Sequence, residues 1–202
     1  CTGFFRQGSP RRQASGVIVF QQQQYSGRGL RPPSFFIALL SSFLPVATYP
    51  LETPLPVGLP VVLDTNVVLS LWMFEDPALV RLRTSVENGE LRPFTREDCL
   101  GELARVLAYS QFAQTPERQA GIAAAYRARC TLIDVVDTPT CELPACLDRD
   151  DQKFLELARD SGARALLTRD KLVLKLGRRP VIAARFAILT PERLQALLPQ
   201  QP

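Results

Sequence analysis

The sequence predicts an α/β layer fold with a mostly parallel central sheet. Three observations point there. From residue 60 onward, short aliphatic runs of strand length alternate with longer segments at helical spacing. Glycine and proline stand at the joints between them, as at Pro77, Gly162 and Gly177. At 46% hydrophobic, the chain is rich enough to fill a core on both faces of a sheet.

The elements follow in order. Residues 61–63 (Val-Val-Leu) form a short buried strand. Residues 67–74 and 77–88 read as helices, with Pro77 suited to a first helical turn. A second strand is expected at 91–94. Thr95 is then expected to cap a helix running to about Tyr109, with Asp98 in the capping-box position. Residues 116–130 carry Ile122, Ala125 and Tyr126 at helical spacing, and 132–136 read as a strand. A helix over 150–161 is ended by Gly162. Residues 165–167 are a strand, 172–176 a short helix stopped by Gly177, 186–189 a last strand and 191–198 a closing helix. Right-handed crossovers place the strand ends along one common edge.

Residues 1–59 are a different kind of sequence. They hold a glutamine run at 21–24, scattered arginine and serine, and no sustained periodicity. The chain begins at Cys1, and its single methionine, Met73, lies well inside the regular region. We therefore expect 1–59 to be a disordered or non-native extension and 60–202 to be the folded domain. The apolar run at 35–47 is too short for a span of about 20 residues, and Pro45 interrupts it, so no membrane segment or secretion signal is expected. The net charge of +4 also divides here. The first 59 residues contain five arginines against Glu52 alone, and the remainder balances to zero. Bulk charge therefore says nothing about a polyanionic partner of the main domain.

The chain has no histidine, which excludes Ser-His-Asp and Cys-His catalysis and His-ligated zinc. Five irregularly spaced cysteines suit reduced thiols in a cytoplasmic protein. Carboxylates are left to carry chemistry. In open α/β sheets, sites form beyond the carboxyl ends of the strands. Asp64 directly follows the first strand, and Asp170 follows 165–167 after Thr168-Arg169. Asp151 opens a helix whose apolar face is Phe154, Leu155 and Ala158, so it starts the buried side. Glu102 lies mid-helix with Cys99 and Val106 as its i−3 and i+4 neighbours, on the border of a packed face. Each acid also has a bland reading: Asp64 and Asp170 as helix caps, Asp151 as a complement to a helix dipole, Glu102 as a surface residue. Glu97 and Asp98 suit the first-turn dipole better than a site. Clustered carboxylates raise one another's pKa, a penalty that a hard dication such as Mg²⁺ or Mn²⁺ removes. Such a cluster without histidine favours phosphodiester over peptide hydrolysis.

These residues resemble a known family. Leu63-Asp64-Thr65-Asn66, then Glu102-Leu103 with Val106-Leu107, then Asp148, Asp150 and Asp151 with Phe154-Leu155, then Leu167-Thr168 with Asp170, follow the order of a PIN-domain nuclease. The resemblance covers about residues 60–198 and is to the branch similar to VapC toxins of bacterial toxin–antitoxin systems. It implies a three-layer α/β/α fold and a Mg²⁺- or Mn²⁺-dependent endoribonuclease, often dimeric and neutralised by a small antitoxin protein. Asp64, Glu102, Asp151 and Asp170 would then be the acidic quartet that holds metal. Asn66 and Thr168 would hold the first and last acids by hydrogen bonds. Asp148 and Asp150 would support the third acid, with Asp148 a possible N-cap and Asp151 three residues inside the helix. Arg149, Lys153, Arg169 and Lys171 are candidate RNA contacts, with Lys175, Arg178 and Arg179 beyond them. Arg169 stands where this branch often has glycine. Two other readings stay open. One is a catalytically silent RNA- or protein-binding module of the same fold. The other is a phosphotransferase with Asp64 as nucleophile, disfavoured because Asn66 stands where that chemistry expects a second aspartate.

Overall fold

The computed structural model describes residues 51, 53–136 and 142–199. Most of the expected extension, residues 1–50 and 52, lies outside them. Leu51 packs against the core and Leu55 is buried within it, so the packed region begins upstream of residue 60.

The first strand, β1 (Leu59–Leu63), is buried along nearly all its length. It is followed by α1 (Thr65–Val68), which continues without a break into wider π-type turns over Leu69–Met73. One 3₁₀ turn at Pro77–Leu79 leads into α2 (Val80–Glu87). Then come β2 (Leu91–Thr95), α3 (Glu97–Leu107), α4 (Pro116–Arg127) and the two-residue β3 (Thr131–Leu132). The carboxyl half supplies α5 (Gln152–Asp160), β4 (Ala165–Leu167), α6 (Lys171–Leu176), α7 (Pro180–Ala183), β5 (Ala187–Leu189) and α8 (Pro191–Leu197).

The five strands are all parallel, in the order β3-β2-β1-β4-β5. Alternate side chains of β1 serve two cores, as the period of a strand requires. Leu59, Val61 and Leu63 join Leu71 and Trp72, Leu82 of α2, Ile122 of α4 and Leu194 of α8. Val62 joins Phe154 and Leu155 of α5, Val173 of α6 and Ile182 of α7. The sheet is thus the middle of three layers, the α/β/α architecture expected. After β1 the chain builds outward through β2 and β3, then returns to place β4 on the other side of β1. That reversal puts the topological switch point at the carboxyl ends of β1 and β4, the place where open α/β sheets hold their ligands.

Several elements differ from expectation. Thr95 ends β2 and is buried, and Arg96 takes the N-cap position of α3 without a side-chain cap bond. Asp98 instead accepts from the Cys99 amide (2.8 Å) and binds Arg96. The strand expected over 132–136 shrinks to Thr131–Leu132 at the sheet edge. Helix α7 was not expected; Pro180 occupies its first turn. Gly162 does close the turn after α5, at φ 65°, a conformation that favours glycine.

Candidate active site

Asp64 is where β1 gives way to α1. Its backbone is extended (φ −64°, ψ 152°), and its side chain makes no cap bond to the helix that follows. The carboxylate is buried and receives a hydrogen bond of 2.7 Å from Thr168 Oγ1. Thr168 follows β4, whose Leu167 is paired with Leu63, so the sheet register sets the two side by side. The same hydroxyl accepts from the Asp170 amide at 2.9 Å. One threonine therefore fixes the first acid by donating and the approach to the last acid by accepting. Burial raises the Asp64 pKa; the Thr168 hydroxyl and the nearby amides of Asn66 and Thr65 oppose this, and the charge on Glu102 adds to it.

Asp170 begins α6. Its Oδ1 accepts from the Leu172 and Val173 amides at 2.6 and 2.9 Å, so its capping role is realised. Its Oδ2 has no protein partner among the described residues. Asp151 sits at the start of α5 with helical backbone and no cap bond, so its carboxyl is not engaged by the helix. Its pKa is raised to about 6, first by burial and then by the charges of Asp64, Asp148, Asp170 and Glu102. The charges of Asp64, Glu102 and Asp170, up to 106 positions apart in the chain, thus all reach Asp151. Glu102, half-buried on α3, forms an ion pair with Lys153 of α5. Behind the acids the interior is closed: the space among Asp64, Asp151, Phe154, Leu166, Thr168 and Val173 admits no water.

Some expected roles change. The Asn66 side chain is exposed and bonds to nothing among the described residues; its amide, not its side chain, acts on Asp64. Asp148 is not the N-cap of α5. Its Oδ1 accepts from the Asp150 amide at 2.9 Å in the turn before the helix, and Asp151 takes the cap position. Asp150 is exposed and lies 4.0 Å from Arg105. Lys153 is committed to Glu102 and lies over the Phe154 ring, which removes it as a free RNA contact. Arg169 is committed as well, to Glu192 (2.6 Å), Asp76 (3.3 Å) and Ser70 Oγ (3.1 Å). Those bonds tie the loop after β4 to the turn after α1 and to α8. Arg149 and Lys171 remain exposed, their side chains without partners among the described residues.

Two arginines escaped the sequence reading. Arg96 is buried and binds both Asp98 oxygens (2.9 and 3.2 Å), with Glu156 and Asp160 of α5 at 3.6 and 3.9 Å. It joins the end of β2 to α5, and no local pattern marks it because two of its partners are about sixty residues away. Arg193 of α8 shares a groove of about 480 Å³ with Lys171, Lys175 and Arg178, and no carboxylate lines it. The three cysteines among the described residues offer no nucleophile: burial pushes Cys99 and Cys130 to about 12 and Cys146 to about 11, so these thiols stay protonated at neutral pH.

The quartet is a set of hard oxygen donors, with mutual repulsion that a dication would relieve, and it fits Mg²⁺ or Mn²⁺ by chemistry. Among the described residues, no three histidine, cysteine, aspartate or glutamate side chains are drawn together tightly enough to hold an ion as they stand. This geometry sets a candidate carboxylate site at the switch point of a parallel α/β sheet. Residues 60–172 match the family profile of the PIN domain, and that stretch is more than half of the chain and contains all four acids. The chain belongs to the PIN domain family, whose fold is of nuclease type and whose members generally use divalent metal ions. A search of curated proteins finds no match to it.

Proposed function

We propose that this protein is a Mg²⁺- or Mn²⁺-dependent endoribonuclease, the toxin of a cytoplasmic toxin–antitoxin pair. The observation that carries the reading is the convergence on Asp151. Its carboxyl is held near 6 by burial together with Asp64, Asp148, Asp170 and Glu102. Thr168 holds Asp64 in place, and the cap of α6 holds Asp170 while leaving Oδ2 available. A divalent ion bound there would offset the carboxylate repulsion, make a water more acidic and neutralise charge on a phosphate. Asp151, whose carboxyl is not engaged by its own helix, would be one of the oxygen donors that hold the ion. Lys153 holds Glu102 close to α5 through their ion pair. The groove of Lys171, Lys175, Arg178 and Arg193 offers a surface for the phosphates of an RNA strand.

The toxin role is supported by the four motifs and their order. A protein partner, either a small antitoxin or a second copy, is supported by exposed Phe74 and Tyr109, which both contact the ring of Phe112. Cleavage of RNA with Mn²⁺ by the intact protein, Asp64→Asn and Asp151→Asn tests the assignment. Each variant is expected to lose roughly a hundredfold or more. Retained cleavage in both would remove the assigned site. A second reading, an RNA-binding module without turnover, draws support from the absence of a ready-made metal group among the described residues. It predicts RNA binding with no metal-dependent cleavage. Phosphotransfer through Asp64 has less support, since its carboxylate is buried and bonded to Thr168; a stable aspartyl-phosphate adduct would revive it.

A further inference from the structure

Helix α6 has two unlike faces. Lys171, Leu174 and Lys175 line the basic groove, while Leu172, Val173 and Leu176 line a separate cleft of about 290 Å³ on the opposite side. That cleft is closed by Ala145, Cys146 and Leu147 and by two acids, Asp148 and Asp151. It is continuous with the acidic site, because Asp151 belongs to both. Its walls are aliphatic, and two of them, Leu147 and Leu172, are exposed. At just under the ~300 Å³ where ligand pockets usually begin, it suits a single flat ring system.

We propose that this cleft is a nucleobase subsite that selects guanine beside the scissile phosphate, with Asp148 as its specificity-determining residue. The source of the base rests on the ribonuclease reading. An RNA strand crossing α6 would lay phosphates along the lysine face and turn a base into the leucine face, between aliphatic walls. Asp148 sets the base. One of its oxygens accepts from the Asp150 amide, and the other has no partner among the described residues. An ionised carboxylate only accepts hydrogen bonds. Guanine presents two adjacent donors, N1–H and the N2 amino group, which match two carboxylate oxygens. Adenine and cytosine place a ring acceptor beside their amino donor, and uracil flanks its N3–H with two carbonyls, so each would set a lone pair against the carboxylate.

The test is titration of the full-length, metal-free protein with GMP, AMP, CMP and UMP, followed by the methyl resonances of Leu147, Leu172 and Leu176. GMP is expected to shift these methyls and to bind roughly 5- to 100-fold tighter than the others, the range a good bidentate pair provides. Asp148→Asn should erase the preference, and Leu147→Ser should weaken all four alike; both positions are exposed, so neither change threatens the fold. Equal binding of the four nucleotides, or a guanine preference that survives in Asp148→Asn, would overturn the proposal. A guanine preference in a protein that cleaves no RNA leaves the cleft standing and removes the nuclease. Cleavage by a protein that binds the four alike does the reverse.

Discussion

Thr168 and Asp151 carry most of the site at the level of single residues. The Thr168 hydroxyl is buried and serves Asp64 and the Asp170 amide together. Thr168→Val keeps the shape but leaves a buried carboxylate without its donor, and is expected to cost about 1–3 kcal/mol in chemical denaturation. Thr168→Ser should recover most of that loss. Asp151 gives a pH signature. Its pKa rises from 3.8 to about 6 on folding, so its protonated form is the one that folding favours. That contribution is fully present below about pH 4 and is lost as pH rises through 6. Asp151→Asn should therefore melt higher than wild type at pH 7.5 without metal, and the difference should close by pH 4. A difference that grows on acidification would show that the carboxyl is not raised. The placement of Asp64, Asp151 and Asp170 was legible in sequence because strand ends and a helix start mark them. The commitments of Lys153 and Arg169 were not. Their partners Glu102 and Glu192 lie 51 and 23 positions away, and a cation beside an acid motif looks the same whether it meets RNA or another side chain.

Helix α5 is the element on which the site depends, because it carries Asp151 and is tied down by two cations. Lys153 pairs with Glu102 of α3, and Arg96 reaches Glu156 and Asp160 from the end of β2. Arg96→Met strips a buried cation from carboxylates arranged around it, Asp160 among them, and is expected to cost about 3–5 kcal/mol. Lys153→Met works differently. It leaves Glu102 without its counter-charge, so the metal-free protein should lose about 1–3 kcal/mol. The local potential then becomes more negative, and Mn²⁺ should raise the melting temperature of this variant more than that of wild type. An equal rise in both would mean that Glu102 lies outside the ion's reach. Most elements were legible from aliphatic runs bounded by glycine and proline. The exceptions have physical causes. Thr95 has the composition of a cap, but its place in the sheet buries it as the last residue of β2. The apolar run after Leu132 outlasts its partner: β2 ends at Thr95, opposite Leu132, so β3 stops after two residues.

At the scale of the whole molecule, the position of β4 matters most. Set beside β1, it brings Thr168 to Asp64 and, through the Thr168 hydroxyl, fixes the approach to Asp170. Strand order was not legible, since Ala165–Leu167 and Ala187–Leu189 are three-residue aliphatic runs with nothing in their composition to say which lies next to β1. The site is consequently a property of the assembled sheet, and an ion that needs Asp64, Asp151 and Asp170 together has no equivalent site in the unfolded chain. Mn²⁺ should then stabilise the native state by mass action, by about 2.7 kcal/mol at a concentration one hundred times its Kd. The ion competes with protons for Asp151, so the stabilisation should be large at pH 7.5 and shrink below pH 6, where that carboxyl is protonated. Thermal denaturation with and without Mn²⁺ at the two pH values measures both effects. Asp64→Asn should reduce the metal-induced rise at either pH, because it removes a ligand rather than a proton. Stabilisation that is equal at pH 5.5 and 7.5, or undiminished in Asp64→Asn, would place the ion elsewhere on the surface and separate metal binding from the carboxyl ends of β1 and β4.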